Sequence, residues 1–368
     1  MFKSKPLAKI VIPGGTGHLG TLLADYFGSL GNEIVLLSRH EPARRNWRWA
    51  PWSDLEKEVD GSDVVINLAG RSVDCRYNAK HRREILESRV ESARRVGVAI
   101  TNANRPPHVW LQASTATIYA HRFDAANDDH TGIIGGDEPD VPPEWHFSID
   151  VARAWEAAVD EAKTPRTRKV KMRSAIVMSA GYGGPFDIFL LLARLGVAGA
   201  QAGGRQYVSW IHQRDFVRAV EWLIDHRFTC GAINLAAPNP LPNAEFLRAI
   251  RNAAHVPIGI PAAKWMLEAG AFFHRSETEL LLKSRRVIPA RLLESGFDFE
   301  FPTWPEAARD LVARSKKPRG VIPSEPEASR ATPIASGIGS LESLHSLGMT
   351  HDAHASPGMK GSAKGESS

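Results

Sequence analysis

Cysteine is almost missing from this chain: Cys75 and Cys230 are the two present in 368 residues. Two cysteines cannot build a disulfide framework, and their separation is not a zinc-ligand spacing, so a reducing, cytoplasmic setting is expected. Long apolar runs are missing too. The most apolar stretch, Phe186 to Ala202, is interrupted by Asp187 and Arg194 and is too short to span a bilayer, which argues against a membrane partner. The opening MFKSKPLAKIVIPGG runs straight into a strand-like segment and leaves no length for a cleaved leader. A dense charge of one sign is the third absence. Lys+Arg 46 against Asp+Glu 41 leaves a formal net charge of +5 spread over the whole chain. Nucleic acid calls for a concentrated basic face, and the local run Arg166, Arg168, Lys169, Lys171 and Arg173 reads as a loop and strand edge, not an RNA site. What remains is 43% hydrophobic residues, enough for a core and too many for a disordered chain.

The chain alternates two periodicities. Ala8–Ile12 is a continuous apolar run of the kind a buried parallel strand needs. Leu19, Leu22, Leu23, Tyr26, Phe27 and Leu30 then recur at helical spacing, and Gly31-Asn32 closes that helix. Glu33–Leu37, Asp63–Leu68, Val109–Ala113 and Val170–Met172, the last continuing into Ala175–Met178, read as further strands. A long amphipathic helix is predicted from roughly Asn78 to Asn102. This βαβα order implies an α/β, doubly wound parallel sheet with helices on both faces. After about Gly181 the pattern loosens into helices near Phe186–Arg194, Arg214–Asp225, Asn243–Ala254 and Trp304–Arg314, with a short strand at Ala232–Leu235. The expected division is a nucleotide-binding domain over 8–180, a smaller substrate-side α/β lobe over 181–316 interleaved with it, and a tail over 317–368. That tail is rich in Ser, Gly, Pro and Ala and is too poor in apolar area to offset its ordering entropy, so it reads as disordered.

The first strand and first helix are joined by Pro13, Gly14, Gly15, Thr16, Gly17, His18, Leu19 and Gly20. Gly14, Gly17 and Gly20 are three apart. The first permits the tight turn, the second removes a Cβ where a pyrophosphate meets the backbone, and the third lets helix and strand pack closely. The helix start adds N–H groups and the positive dipole end. This is the Rossmann-like dinucleotide loop in its expected strand–turn–helix context. Ser38 and Arg39 follow the second strand, where the adenosine ribose is read. No Asp or Glu stands at Leu37, Ser38, Arg39 or His40; a hydroxyl and a guanidinium do, which suits a 2′-phosphate, with Arg44 and Arg45 adding field. The expected cofactor is therefore NADP(H).

These residues, with Asn67-Leu68-Ala69-Gly70, resemble the extended short-chain dehydrogenase/reductase superfamily. EILESR (Glu84–Arg89), YVSWIHQRDFVRA (Tyr207–Ala219), INLAAPNPLPNAEF (Ile233–Phe246) and VIPARLLESGFDFEFPT (Val287–Thr303) resemble its sugar-epimerase-like branch, the "epimerase family proteins", which carry a C-terminal domain of unknown function. The resemblance covers about residues 8–314. It implies that Leu68 and Ala69 line the adenosine side, that Glu84 and Arg89 lie on a helix beside the cofactor, and that Val177 abuts the nicotinamide end. From their own helix, HRREILESRVESARR, Glu84 and Arg89 would read only as a solvated face.

The resemblance also exposes a gap. Typical members use Ser/Thr with a Tyr-x-x-x-Lys pair, in which Tyr moves the proton and Lys lowers its pKa. Thr115, in Ser114-Thr115-Ala116-Thr117-Ile118-Tyr119, falls where the substrate-polarising hydroxyl stands. Registering the helix SIDVARAWEAA on Glu156 puts Ser148 in the Tyr place and Ala152 in the Lys place. Arg153 is one residue off and points about 100° away. Thr117, Tyr119, His146 (in the loop DEPDVPPEWHF) and His212 are the other polar candidates. Two readings stay open: an NADP(H)-dependent oxidoreductase or epimerase-like enzyme with a non-standard proton donor and a small polar substrate, or an NADP(H)-binding regulatory or redox-sensing protein without turnover.

Overall fold

In the computed structural model, residues 7–42, 47–73, 75, 77–138, 141–142, 145–181, 183–261 and 279–315 are described. The expected tail 317–368, and Arg44 and Arg45, lie outside the described residues. Seven strands form one sheet in the order β10-β6-β5-β4-β1-β2-β3. They are β1 (Lys9–Pro13), β2 (Glu33–Ser38), β3 (Arg48–Pro51), β4 (Val64–Asn67), β5 (Val109–Thr115), β6 (Arg168–Ser174) and β10 (Gly231–Leu235). Every pairing is parallel. Taken in chain order the strands run outward from β1 in one direction and from β4 in the other, so the topology switches between β1 and β4, the crevice where doubly wound sheets bind ligands.

The apolar runs become buried strands because both faces are covered. On one face Ile10, Ile12, Ile34 and Leu36 meet Leu22, Leu23 and Phe27 of α1 (His18–Ser29) and Phe216, Val220 and Leu223 of α6 (Gln213–Asp225). On the other, Val11, Val35, Leu37 and Val65 meet Ala93, Val96 and Ile100 of α3 (Ala79–Asn102) and Trp155 and Val159 of α4 (His146–Glu161). Strand periodicity splits one hydrophobic run between two cores. A third core joins α5 (Pro185–Arg194), β9 (Trp210–His212), α7 (Asn243–Ala253) and the helix Trp304–Ser315. Its centre is Trp304, stacked on Phe246 at 4.3 Å and donating its indole N–H to the Phe246 carbonyl at 2.9 Å.

Four expectations need correction. β3 is a strand absent from the sequence reading; it is short, charged, and paired on one side only, to β2, with Pro51 at its end as an edge strand permits. The run from Val170 to Met178 is not one strand. Pairing with β10 ends at Ser174, and the chain turns at Ala175 into β7 (Ile176–Met178), which pairs with β9 in a separate two-stranded sheet. His146 is not in a loop but is the first residue of α4. Finally, the basic run is no strand edge. β6 is interior, between β5 and β10. Arg168 and Lys169 on it, and Arg166 just before it, seal helix ends, while Lys171 and Arg173 pair with Asp160 and Glu156. Arg168 donates to the carbonyls of Leu223 and Ile224 at the end of α6, at 2.7 and 3.1 Å. Lys169 reaches those of Val159, Asp160 and Ala162 at the end of α4, at 2.9, 3.2 and 2.9 Å. Arg166 reaches Ala103 and Asn104 at the end of α3. Cations belong there because the last-turn carbonyls are unsatisfied and the dipole end is negative.

Candidate functional site

The three glycines of the first turn do three different things. Gly14 has φ +76, and a Cβ on it would lie 2.6 Å from Ala69 Cα; only glycine lets the loop after β1 pass the loop after β4. A Cβ on Gly20 would lie 2.3 Å from the Gly15 carbonyl oxygen, so α1 can start this close to the turn only without one. Gly17 differs. Its φ is −75, and a Cβ there would meet nothing nearer than 3.7 Å. Neither the backbone conformation nor the protein around it demands glycine, and Gly17 and Thr16 face outward. No side chain caps the start of α1. An exposed Cβ-free backbone ahead of an uncapped helix N-terminus, at the topological switch point, fits a dinucleotide pyrophosphate. His18 ties this loop to the far side of the cleft. Its Nε2 lies 2.5 Å from Ser179 Oγ, and a Cβ on Gly184 would strike its ring at 2.6 Å. Burial pulls its imidazole below the ordinary value, against the opposing field of Asp187.

Next to the loop, Ser38 ends β2. Its hydroxyl donates to the His40 carbonyl at 2.5 Å and accepts from Trp49 Nε1 at 3.0 Å, while Arg39 is exposed. Leu68 N–H donates to the Pro13 carbonyl, and Ala69 N–H to Asn67 Oδ1, so both are fixed against the glycine turn. Arg89 is not a solvated residue. It donates to the carbonyls of Arg71 and Ile85 at 2.9 and 3.1 Å and lies over the Trp155 ring. Glu84 pairs with Arg71. Together they hold the 69–71 loop from beneath. Val177 is buried in β7 opposite Ile211, in the core cluster that includes Phe216.

Most of the polar candidates at the other end have structural partners. Tyr119 hydroxyl donates to Asn234 Oδ1 at 2.8 Å and accepts from Arg173 at 3.0 Å. Arg173 in turn clasps Glu156 with two bonds of 2.8 Å, and Ser114 donates to the same carboxylate. His212 is fully buried. Its Nδ1 accepts from the Arg214 N–H, which leaves the proton on Nε2 to donate to Asp310 at 3.1 Å. Burial pulls it down to about 4 against the field of Asp310. Thr115, half-buried at the end of β5, accepts from the Thr117 N–H at 3.1 Å and keeps its own O–H to donate. Ala152 is fully buried with Ala116, Ile118, Tyr119, Ala236 and Val287.

Ser148 does not stand alone. Its Oγ donates to Glu279 Oε2 at 2.5 Å. The other Glu279 oxygen is buried without a hydrogen bond and lies 3.7 Å from Lys283 Nζ. Lys283 is buried and donates to the Thr117 carbonyl at 2.8 Å. Arg285 donates to Thr117 Oγ1 and to the Glu279 carbonyl. Burial pulls the Lys283 ammonium down to about 8, against the opposing pull of Glu279. None of Glu279, Lys283 or Arg285 was singled out in the sequence. They precede the VIPARLLESGFDFEFPT motif by a few residues and carry no periodic signal of their own.

Comparison with known proteins places this geometry. The family described as "NAD dependent epimerase/dehydratase family" matches residues 10–236, and a domain of unknown function, DUF1731, matches residues 262–311. The epimerase family protein SDR39U1 of Bos taurus is 32% identical over 312 residues, covering 83% of this chain and 100% of that protein. The epimerase family protein YfhF of Bacillus subtilis is 27% identical over 314 residues, covering 83% of this chain and 99% of its own. The crystal structure of human SDR39U1 (isoform 2), solved with NADPH, superposes with a TM-score of 0.73 at 30% identity, covering 83% of this chain and 99% of that one. Among the described residues no helix is long and apolar enough to cross a membrane.

Proposed function

The chain belongs to the NAD-dependent epimerase/dehydratase family, and from that premise we propose that it binds NADP(H) and works as an oxidoreductase or epimerase-like enzyme on a small polar molecule, without the usual Tyr-x-x-x-Lys pair. The observation that carries the cofactor is Gly17, a glycine that the protein's own packing does not require, set before an uncapped helix at the switch point. The similar human protein was solved with NADPH, which supports the phosphorylated cofactor. A bound nicotinamide dinucleotide supplies hydride chemistry. The protein's part is to hold and orient it: Gly14, Gly15, Thr16, Gly17, His18, Leu19 and Gly20 at the pyrophosphate, Ser38 and Arg39 at the 2′-phosphate, Leu68 and Ala69 along the adenosine. Glu84 and Arg89 steady the 69–71 loop, and Val177 closes the nicotinamide end. Thr115 keeps a free O–H for a substrate oxygen. A second reading, cofactor binding without turnover, is favoured by Ala152, whose buried apolar surroundings leave no amine in the lysine place.

Fluorescence titration tests this reading. NADPH is expected to bind more tightly than NADH, by roughly tenfold or more for one charge-assisted contact to the 2′-phosphate. Arg39→Asp removes the preference, because a carboxylate repels that phosphate. Gly17→Val abolishes binding of both while leaving the melting temperature unchanged, since its Cβ has room inside the protein but projects toward the phosphate. Equal affinities in the unmodified protein, or an unchanged affinity in Gly17→Val, would overturn the assignment.

A further inference from the structure

Ser148 and Ala152 stand where the superfamily resemblance expects tyrosine and lysine, and the chain brings an ionisable pair, Glu279 and Lys283, up to Ser148. The segment 279–287 passes along the carboxyl end of the sheet. It is tied there by Ser209, whose hydroxyl donates to the Arg285 carbonyl and accepts from the Val287 N–H, and by Asn127, whose N–H donates to the Arg286 carbonyl. This strap sets Lys283 on the Thr117 carbonyl, two residues past Thr115, and sets Glu279 on Ser148, the residue in the tyrosine place. The side chains run in a connected series: Ser148 Oγ to Glu279 Oε2 at 2.5 Å, then Glu279 Oε1 to Lys283 Nζ at 3.7 Å. Ser148 is half-buried at one end of the series, and Glu279 and Lys283 are buried further along it.

We propose that Lys283, reached through Glu279 and Ser148, is the acid–base group of this site and faces the nicotinamide end of the bound cofactor. The proposal rests on the NADP(H) reading above. A proton leaving a substrate hydroxyl arrives at Ser148 Oγ while the Ser148 proton passes along its existing bond to Glu279 Oε2. The protonated Glu279 carboxyl then turns about its Cγ–Cδ bond, which brings that O–H round from Ser148 to the side facing Lys283, and the neutral Lys283 amine takes up the proton. One proton moves from substrate to lysine, and only O–H and N–H bonds are exchanged. In this arrangement Ser148 touches the substrate; Glu279 and Lys283 act through it. Burying an amine disfavours its charged form, which brings Lys283 into the working range. The charged and titratable groups around it are Glu279 and Arg285 on its own strap, Glu138, and His121. Burial moves His121 downward from its ordinary value, away from the range in which Lys283 changes charge.

The test needs no substrate. Oxidised and reduced cofactor share every phosphate and differ by the positive charge of the oxidised ring. A protonated Lys283 near that ring repels NADP+ and leaves NADPH alone. The ratio of the NADP+ to the NADPH dissociation constant is therefore expected to fall roughly tenfold between pH 7 and pH 9. Lys283→Met makes the ratio independent of pH. Glu279→Gln keeps the dependence but moves its midpoint to lower pH, because the carboxylate that favours the ammonium is gone. A ratio that is flat with pH in the unmodified protein overturns the proposal, as does a dependence that survives in Lys283→Met. If Lys283→Met does not fold, the unmodified protein and Glu279→Gln decide. Failure of NADPH to bind at all would sink the cofactor reading and the proposal with it; NADPH binding with a flat ratio sinks the proposal alone.

Discussion

The two ends of the cleft are built by opposite means. At the proposed phosphate end seven consecutive residues, Gly14 to Gly20, would do the work with backbone atoms, and what matters is where a Cβ is absent. At the proposed proton end the work would fall to side chains from three remote segments. Ser148 meets Glu279 across 131 positions, and Lys283 meets Thr117 across 166. A pyrophosphate can be held by a turn because every residue brings an N–H. A proton path needs chosen heteroatoms at fixed separations, and a fold supplies those from wherever its segments converge. The first kind of site is fixed by local geometry and the second by tertiary packing, so each should fail in its own way.

The largest effect expected is a failure of the phosphate end to form. Gly20→Val would put its Cβ 2.3 Å from the Gly15 carbonyl oxygen, a backbone atom of the turn itself. Overpacking of this kind against backbone costs on the order of 3 kcal/mol or more. Circular dichroism and thermal melting should show loss of the folded state. Gly17→Val, three residues away in the same loop, should melt normally. A normal melting temperature in Gly20→Val would mean that α1 does not start against the turn as described.

A somewhat smaller effect tests the junction of β9 with the helix Trp304–Ser315, where His212 meets Asp310. His212 is neutral in the fold because burial pulls it down to about 4 and its Nδ1 already accepts an N–H. In the unfolded chain it titrates at its ordinary 6.5. A histidine lowered on folding leaves the unfolded state holding more protons between those two values. Its contribution to stability is therefore complete above pH 6.5 and is lost as the pH falls toward 4, a change of about 3 kcal/mol for a fully buried group. Urea unfolding at pH 7 and pH 4.5 should differ by more in the unmodified protein than in His212→Asn. In that variant an amide oxygen can still accept from Arg214 but no ring titrates. Equal pH dependence in the two proteins would show that His212 is not the group responsible.

The same contrast explains what could be read from the sequence. β1, the glycine turn and α1 are contiguous, and their change of period from two to 3.6 marks each boundary. Parallel strands β2, β4 and β5 were visible for a similar reason: strands covered on both faces are apolar along their length. β3 was not, because an edge strand is half exposed and Arg48 and Trp49 break the pattern. The cations of β6 were visible as charge but not as structure. The partners of Arg168 and Lys169 are carbonyls at the ends of α6 and α4, and that of Arg173 is Glu156, none of which a linear pattern reveals. Arg89 likewise reads as one more charge on a charged helix until Trp155 and the Arg71 carbonyl are found beside it. The absence of Tyr and Lys at 148 and 152 could be read by register. The partners of Ser148 could not, since Glu279 and Lys283 lie 131 and more positions further along the chain.

The smallest effect expected concerns Thr115, the residue that the resemblance sets at the substrate oxygen. Its Oγ1 accepts from the Thr117 N–H at the turn after β5, a capping bond at 3.1 Å. Valine keeps the shape and the β-branched preference for the strand, and loses only the oxygen. The lost cap costs about 1 kcal/mol, which differential scanning calorimetry should register as a drop of a few degrees. NADPH affinity should not change, because the phosphate end lies in a different loop and Thr115 offers the cofactor no charge. The pH dependence of the NADP+ to NADPH ratio should persist as well, since Lys283 is held by the Thr117 carbonyl and not by the Thr115 hydroxyl. A fall in NADPH affinity in Thr115→Val would show that the two ends are coupled through β5, and would end the separation drawn between them.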